Sequence, residues 1–211
     1  LSKPARQLDV IAQLSLAFGQ VERATRYEDG TCETDTTHTV MLLWSCLHVI
    51  DHFQYIDQPL DLNETLVTRF ALMHDVPEIG PGDVDSSRGL TPEQRAQKQA
   101  REDAWTAKVL RPWLPLSALT IEQYEMQRHP EARFVRVMDK IMPKLVGLAT
   151  NGEGAWTHQG IDGEELRALL TAQRADLVAE GTLEGESALA ALYDEIGEAL
   201  AVVLDNRATE A

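Results

Sequence analysis

Apolar residues recur every three or four positions along this chain, and runs that alternate apolar with polar are absent. That period belongs to amphipathic α-helices. Leu8, Ile11, Leu14 and Phe18 define a first helix that ends near Gly19. Residues 20–35 read as an irregular stretch. A second helix, capped by Asp35, Thr36 or Thr37, carries Val40, Leu43, Trp44, Leu47 and Ile50 on one stripe and is followed by Pro59. A third runs from about Asp61 to Asp75, with Leu62, Leu66, Phe70 and Met73 inward, until Pro77, Gly80, Pro81 and Gly82 stop or disturb it. Thr91, Pro92 and Glu93 open a fourth helix. Residues 118–129 give a shorter one. Residues 130–150 give another, with Phe134, Val137, Met138, Ile141 and Leu145 apolar and a kink expected at Pro143. Residues 151–160 read as a loop, and two helices, roughly 162–180 and 186–205, complete the chain. The expected fold class is all-α, a single domain over residues 1–211 with about eight helices.

Composition narrows the function classes. A chain of 211 residues, 44% hydrophobic, suits one domain with a sizeable core. A formal net charge of −15 and the lack of a long Lys/Arg run speak against an extended nucleic-acid surface. A small anionic substrate in a local pocket stays compatible, because distant charges are screened. The two cysteines, Cys32 and Cys46, suggest neither a disulfide framework nor a zinc knuckle. No run of 18 apolar residues occurs, so no membrane-spanning helix is expected. Arg6, Gln7, Asp9 and Gln13 interrupt the N-terminal stretch, which lacks the continuous apolar core of a signal peptide. A cytoplasmic location is the expectation.

The candidate chemistry begins at "FALMHDVPEIGPGDV", residues 70–84, where an apolar run ends in an imidazole and a carboxylate. His38 sits in the first turn of the second helix, His74 and Asp75 end the third, and Asp139 lies inside the sixth. All four adjoin apolar core positions and can point into one interior. Two imidazoles and two carboxylates suit Mn, Co, Fe, Zn or Mg. The C-terminal end of a helix also favours a cation. Glu78 follows the pair by three and four residues and is a candidate general acid/base or water-positioning group. His48 and His52, spaced like a zinc-protease pair, fall on the polar side of the second helix and read as a solvated face. Residues 95–103 read as another solvated face. Trp105 and Trp113 read as packing residues or an oligomer face, and Arg88 as a loop arginine within possible reach of a phosphate.

The ordered set His38, His74-Asp75, Glu78, Gly82-Asp83 and Asp139-Lys140 resembles the HD-domain metal-dependent phosphohydrolase superfamily. "HDVPEIGPGD" and "EARFVRVMDK" are most similar to its 5′-deoxynucleotidase (YfbR-like) branch, over roughly residues 16–150. The resemblance implies a helical HD bundle with a C-terminal extension at about 160–205. It implies that His38, His74, Asp75 and Asp139 hold one divalent ion and that Glu78 is the catalytic acid/base. It gives Asp83 to the sugar of a nucleotide, and phosphate to Arg23 or Arg26 with Lys140 nearby. Arg26-Tyr27 matches the family's Arg-aromatic pair, whereas Arg23 fits the usual spacing to His38 better. Thr37 stands where the family often has a carboxylate. The implied reaction is hydrolysis of deoxynucleoside 5′-monophosphates to nucleoside and phosphate. The alternatives are a dNTP triphosphohydrolase and a non-catalytic nucleotide-binding regulatory module. A homodimer is the expected assembly.

Overall fold

The computed structural model describes residues 1–56, 60–85, 88–153, 155–185 and 187–210. Pro59 and position 186, where the last helix was expected to start, lie outside them. The described chain is helical, with one small hairpin. Its elements are α1 (Lys3–Phe18), β1 (Glu22–Arg26), β2 (Cys32–Thr34), α2 (Asp35–Tyr55), α3 (Glu64–Met73), α4 (Pro92–Trp105), α5 (Pro115–Glu125), α6 (Pro130–Ala149), α7 (Ala155–His158), α8 (Gly163–Ala179) and α9 (Ala188–Glu210). A 3₁₀ turn over Val76–Ile79 and a π-helical turn over Thr106–Leu110 join this series.

Local chemistry sets several boundaries. Asn63 caps α3 by accepting from the Thr65 and Leu66 amides. Thr91 and Gln94 form a reciprocal capping box at α4. Thr34, rather than Asp35, Thr36 or Thr37, caps α2. Helix α6 continues through Pro143.

The main core forms where α2, α3 and α6 meet, around Leu42, Cys46, Ile50, Val67, Phe70, Val135, Met138 and Ile141. Phe70 is fully buried there, and truncation of such a residue to Ala typically costs about 3–5 kcal/mol. A second cluster, including Trp156, Leu166, Leu200 and Leu204, joins α7, α8 and α9.

Two expectations change. Residues 20–35 are not irregular throughout: β1 and β2 pair antiparallel, Glu22 opposite Thr34 and Arg26 opposite Cys32, with a bulge between. The buried face of α2 is also rotated from the expected stripe. Val40 is 59% and Trp44 76% exposed, while Asp35, His38, Thr39, Leu42, Cys46, Ile50 and Phe53 point inward. His48 and His52 are exposed, as the polar-face reading holds.

Candidate metal centre and active site

Three elements of the main core each deliver part of one polar cluster. His38 faces inward from the first turns of α2, and Asp139 from the middle of α6. At the end of α3, Pro77 has no N–H to continue the helical ladder, and the chain tightens into the 3₁₀ turn. In a 3₁₀ turn residues i and i+3 eclipse, so Asp75 and Glu78 come to the same side. The Glu78 amide donates to the Asp75 carbonyl at 2.9 Å, which closes that turn.

One atom from each of His38, His74, Asp75 and Asp139 can be chosen so that all four lie within 4.8 Å of one another. His38 Nε2 is 3.0 Å from Asp139 Oδ1, and His74 Nε2 is 2.9 Å from Asp75 Oδ2. His74 Nδ1 lies 2.9 Å from the Ala71 carbonyl, an acceptor, so Nδ1 carries the proton and Nε2 offers its lone pair inward. That buried Nε2 makes no hydrogen bond. A lone pair without a donor in a His₂Asp₂ set is what a divalent cation completes, and the residues present fit one.

Charges around the cluster are strongly coupled. Without a cation, burial would depress the His74 imidazole, but Asp75 and Asp139 outweigh it and push its pKa up to about 10, so the Nε2 lone pair becomes available only as a metal ion displaces its proton. Burial would raise Asp75, but His74 and Arg23 hold its carboxyl well below the usual range. Burial likewise opposes ionisation of Asp139, and Lys140 with the two imidazoles overcomes it. Burial and the Asp75 charge raise Asp35 to about 7 despite Arg23. Glu78 is pushed up by burial and by Asp75, with Lys98 opposing.

Of the two candidate arginines, the hairpin brings only Arg23 to the cluster. Its Nη1 lies 2.5 Å from Asp75 Oδ2 and 3.0 Å from Asp35 Oδ1, and its Nε is 3.5 Å from Glu33 Oε2. Arg26 instead donates to the Gly30 carbonyl across its own turn. Lys140 Nζ sits 2.9 Å from Asp139 Oδ2 and remains partly exposed. Asp83 lines the same cleft as Arg23, Asp139 and Lys140. Asp35, Asp75 and Glu78 form a second carboxylate group, and Arg23 bridges two of its members.

Three neighbours escaped the sequence reading. Glu33 is fully buried with Oε2 3.6 Å from His38 Nδ1, so a carboxylate stands behind that imidazole although Thr37 does not supply one. Asp35 is equally buried. Acids at 33 and 35 alternate about Thr34 with the period of a strand, which was the available signal. Lys98 Nζ is 2.6 Å from Glu78 Oε1 and 3.5 Å from Glu102 Oε1. The face expected to be solvated at 95–103 therefore turns partly inward. The signal was the spacing of Lys98, Glu102 and Trp105 on one helical face. Gly80 lets α4 approach this turn, since a Cβ there would overlap the Trp105 indole. Glu78 Oε2 is buried with no hydrogen-bond partner. Arg88 pairs with Glu165 and Arg136 with Glu125.

A family model described as the HD domain matches residues 20–179, which carries the likeness past residue 150 and through α8. Similar solved structures include a predicted metal-dependent phosphohydrolase from Magnetospirillum magnetotacticum MS-1, at 20% identity and TM-score 0.66, over 99% of this chain and 94% of that one. A conserved hypothetical protein from Pyrococcus furiosus matches at 19% identity and TM-score 0.61, over 90% and 98%. A protein from Pyrococcus horikoshii OT3 matches at 17% identity and TM-score 0.59, over 93% and 99%. At such identities the likeness concerns the fold. No curated protein matches the chain. With the His–His–Asp–Asp cluster built from α2, α3 and α6, and a family match spanning most of its length, the chain belongs to the HD-domain family.

Proposed function

We propose that the protein is a metal-dependent phosphohydrolase that cleaves deoxynucleoside 5′-monophosphates to deoxynucleoside and phosphate. The observation that carries the reading is Glu78. It is buried at the edge of the His₂Asp₂ cluster, with Oε1 engaged by Lys98 and Oε2 free of any hydrogen bond. His38, His74, Asp75 and Asp139 would hold a divalent ion, which would supply Lewis-acid polarisation and a water of lowered pKa. Glu78 Oε2 takes or returns the proton exchanged in the reaction, and Lys98 keeps Oε1 turned away from it. Arg23 meets the phosphate oxygens and Lys140 adds a second positive charge. Asp83, in the same cleft, accepts from a sugar hydroxyl.

One phosphate is favoured over three by the charge pairing. Lys98, Arg88, Arg95 and Arg136 each face a carboxylate outside the metal set, whereas Arg23 and Lys140 face Asp75 and Asp139, whose charge a bound cation would offset, so two of these six cations are left for phosphate. A buried acid with one carboxylate oxygen free of hydrogen bonds beside the ligand set favours catalysis over a binding-only module. The same site makes a single nucleotide in a cleft the expected partner.

The test is orthophosphate and triphosphate release, assayed separately, from deoxynucleoside mono- and triphosphates with Mn, Co or Mg. EDTA-treated protein and His74→Ala serve as controls. Orthophosphate from monophosphates, lost in both controls, supports the proposal. Triphosphate release selects a dNTP triphosphohydrolase, and no release with metal bound removes the enzymatic reading.

A further inference from the structure

Beyond the metal cluster, α6 faces the C-terminal helices through Lys144. Its Nζ donates to the Lys140 carbonyl at 2.5 Å and to Gln173 Oε1 at 3.1 Å. The ammonium also sits 4.0 Å from the centre of the Tyr193 ring. The Tyr193 hydroxyl donates to the same Gln173 Oε1 at 2.6 Å.

This arrangement fixes an atom that a carboxamide usually leaves open. Gln173 turns Oε1 to both Lys144 Nζ and the Tyr193 hydroxyl, and the protonated form of Lys144, which has donors only, holds it that way. The amide nitrogen therefore points away from both, and no described residue accepts from Gln173 Nε2. Gln173 also lines the cleft that Arg23, Asp139, Lys140, Trp156 and Leu169 line. A phosphate met by Arg23 and Lys140 leaves the rest of its ester to the other lining groups, which include an indole, an aliphatic side chain and the Gln173 carboxamide.

From this we infer that Gln173 is a specificity-determining residue for the group esterified to the scissile phosphate. Nε2 donates to an acceptor on that group, a carbonyl oxygen or ring nitrogen of a nucleobase. Helices α8 and α9 then serve substrate choice: α8 carries the reading residue, and α9 carries the tyrosine that holds it. The inference rests on the phosphohydrolase reading above. A ligand that covers Nε2 without offering it an acceptor takes that donor out of water unpaired, so the site discriminates against such ligands.

The experiment compares kcat/KM for the four deoxynucleoside 5′-monophosphates with that for phenyl phosphate, whose leaving group has no acceptor beyond the ester oxygen. Metal-loaded wild type, Gln173→Glu and Tyr193→Phe are measured. The Gln173→Glu carboxylate still accepts from Lys144 and Tyr193 but has no N–H to offer. Its charge repels the phosphate of either substrate, so the ratio isolates the lost donor. For the preferred nucleotide the ratio is expected to fall about tenfold in Gln173→Glu, mainly through KM. A smaller fall in the same direction is expected in Tyr193→Phe. An unchanged ratio, or equal losses on both substrates, overturns the inference. Wild-type activity on phenyl phosphate and none on nucleotides also overturns it while leaving a phosphohydrolase. Activity on neither removes the proposed function itself.

Discussion

Two lysines flank the metal cluster, and the protein treats them in opposite ways. Lys98 reaches in from α4 and lies between two carboxylates, Glu78 at 2.6 Å and Glu102 at 3.5 Å. Lys144 reaches from α6 toward α8 and α9 and is more deeply buried, yet its partners are a carbonyl, an amide oxygen and an aromatic face. Burial lowers the affinity of both for a proton. On the α4 side Glu78 and Glu102 more than restore it, and Lys98 is raised above its ordinary value. On the α6 side burial prevails, and Lys144 falls from the ordinary 10.5 to about 7. Neutral dipoles can orient an ammonium without neutralising it. One region thus holds a lysine whose proton two buried carboxyls retain, although burial pushes those carboxyls up, and the other a set of oriented dipoles whose central cation is weakly held.

The comparison breaks most visibly at Glu78. If the α4 side is the reacting side, Glu78→Gln lowers kcat by about 10²–10⁴-fold while metal content, read by elemental analysis, stays at the wild-type level. A variant within tenfold of wild type places the chemistry elsewhere.

Lys98→Met is expected to lower kcat by about 10–100-fold with little change in KM, because it frees Glu78 to turn. Lys98→Arg recovers part of the loss. Equal activity of all three proteins would reduce the pair to packing.

Lys144 sharpens the contrast through stability. Its pKa is about 7 in the fold and near 10.5 when unfolded. Below about pH 7 both states are protonated, and the fold bears the full cost of a buried cation. Between the two values only the unfolded chain binds the proton, so wild-type stability rises with pH. Above 10.5 both are neutral and the dependence ends. Lys144→Met should therefore be the more stable protein at pH 6, by about 1–4 kcal/mol, with an advantage that shrinks toward pH 10 in denaturant titrations. A difference independent of pH would show that the dipoles compensate the charge after all.

The smallest effect belongs to Arg26→Ala, which removes only a bond to the hairpin's own Gly30 carbonyl. Activity within about twofold and stability within about 0.5 kcal/mol are expected. A loss comparable with that of Arg23→Ala would return Arg26 to the site.

What the sequence conveys and what it hides follow from the same physics. The helices that build the bundle are legible because their apolar period is long and their caps are local, as at Thr91. The four cluster residues are legible because they adjoin apolar core positions in a recognisable order. The inward face of α2 is misread because the site itself occupies it. Asp35, His38 and Thr39 are buried beside Leu42 and Cys46, so the true stripe looks too polar and the outward Val40 and Trp44 look like core. The hairpin is hidden by short strands, "ERATR" and "CET", that carry almost no apolar residues. Lys98 is hidden because its partner is twenty residues away in a different element.

The hairpin has a consequence for how the chain tolerates insertions and deletions. Within a few residues it supplies Arg23 and Glu33, and it leads directly into Asp35 and His38. Neighbouring residues of a strand face opposite ways, so a one-residue indel inside β1 or β2 would send Arg23 or Glu33 outward and an unrelated neighbour inward. The tip, where Gly30 adopts φ 82°, is exposed and bears no cluster residue. Length variation among relatives should therefore collect at residues 28–30, leaving the spacing from Glu33 to His38 invariant.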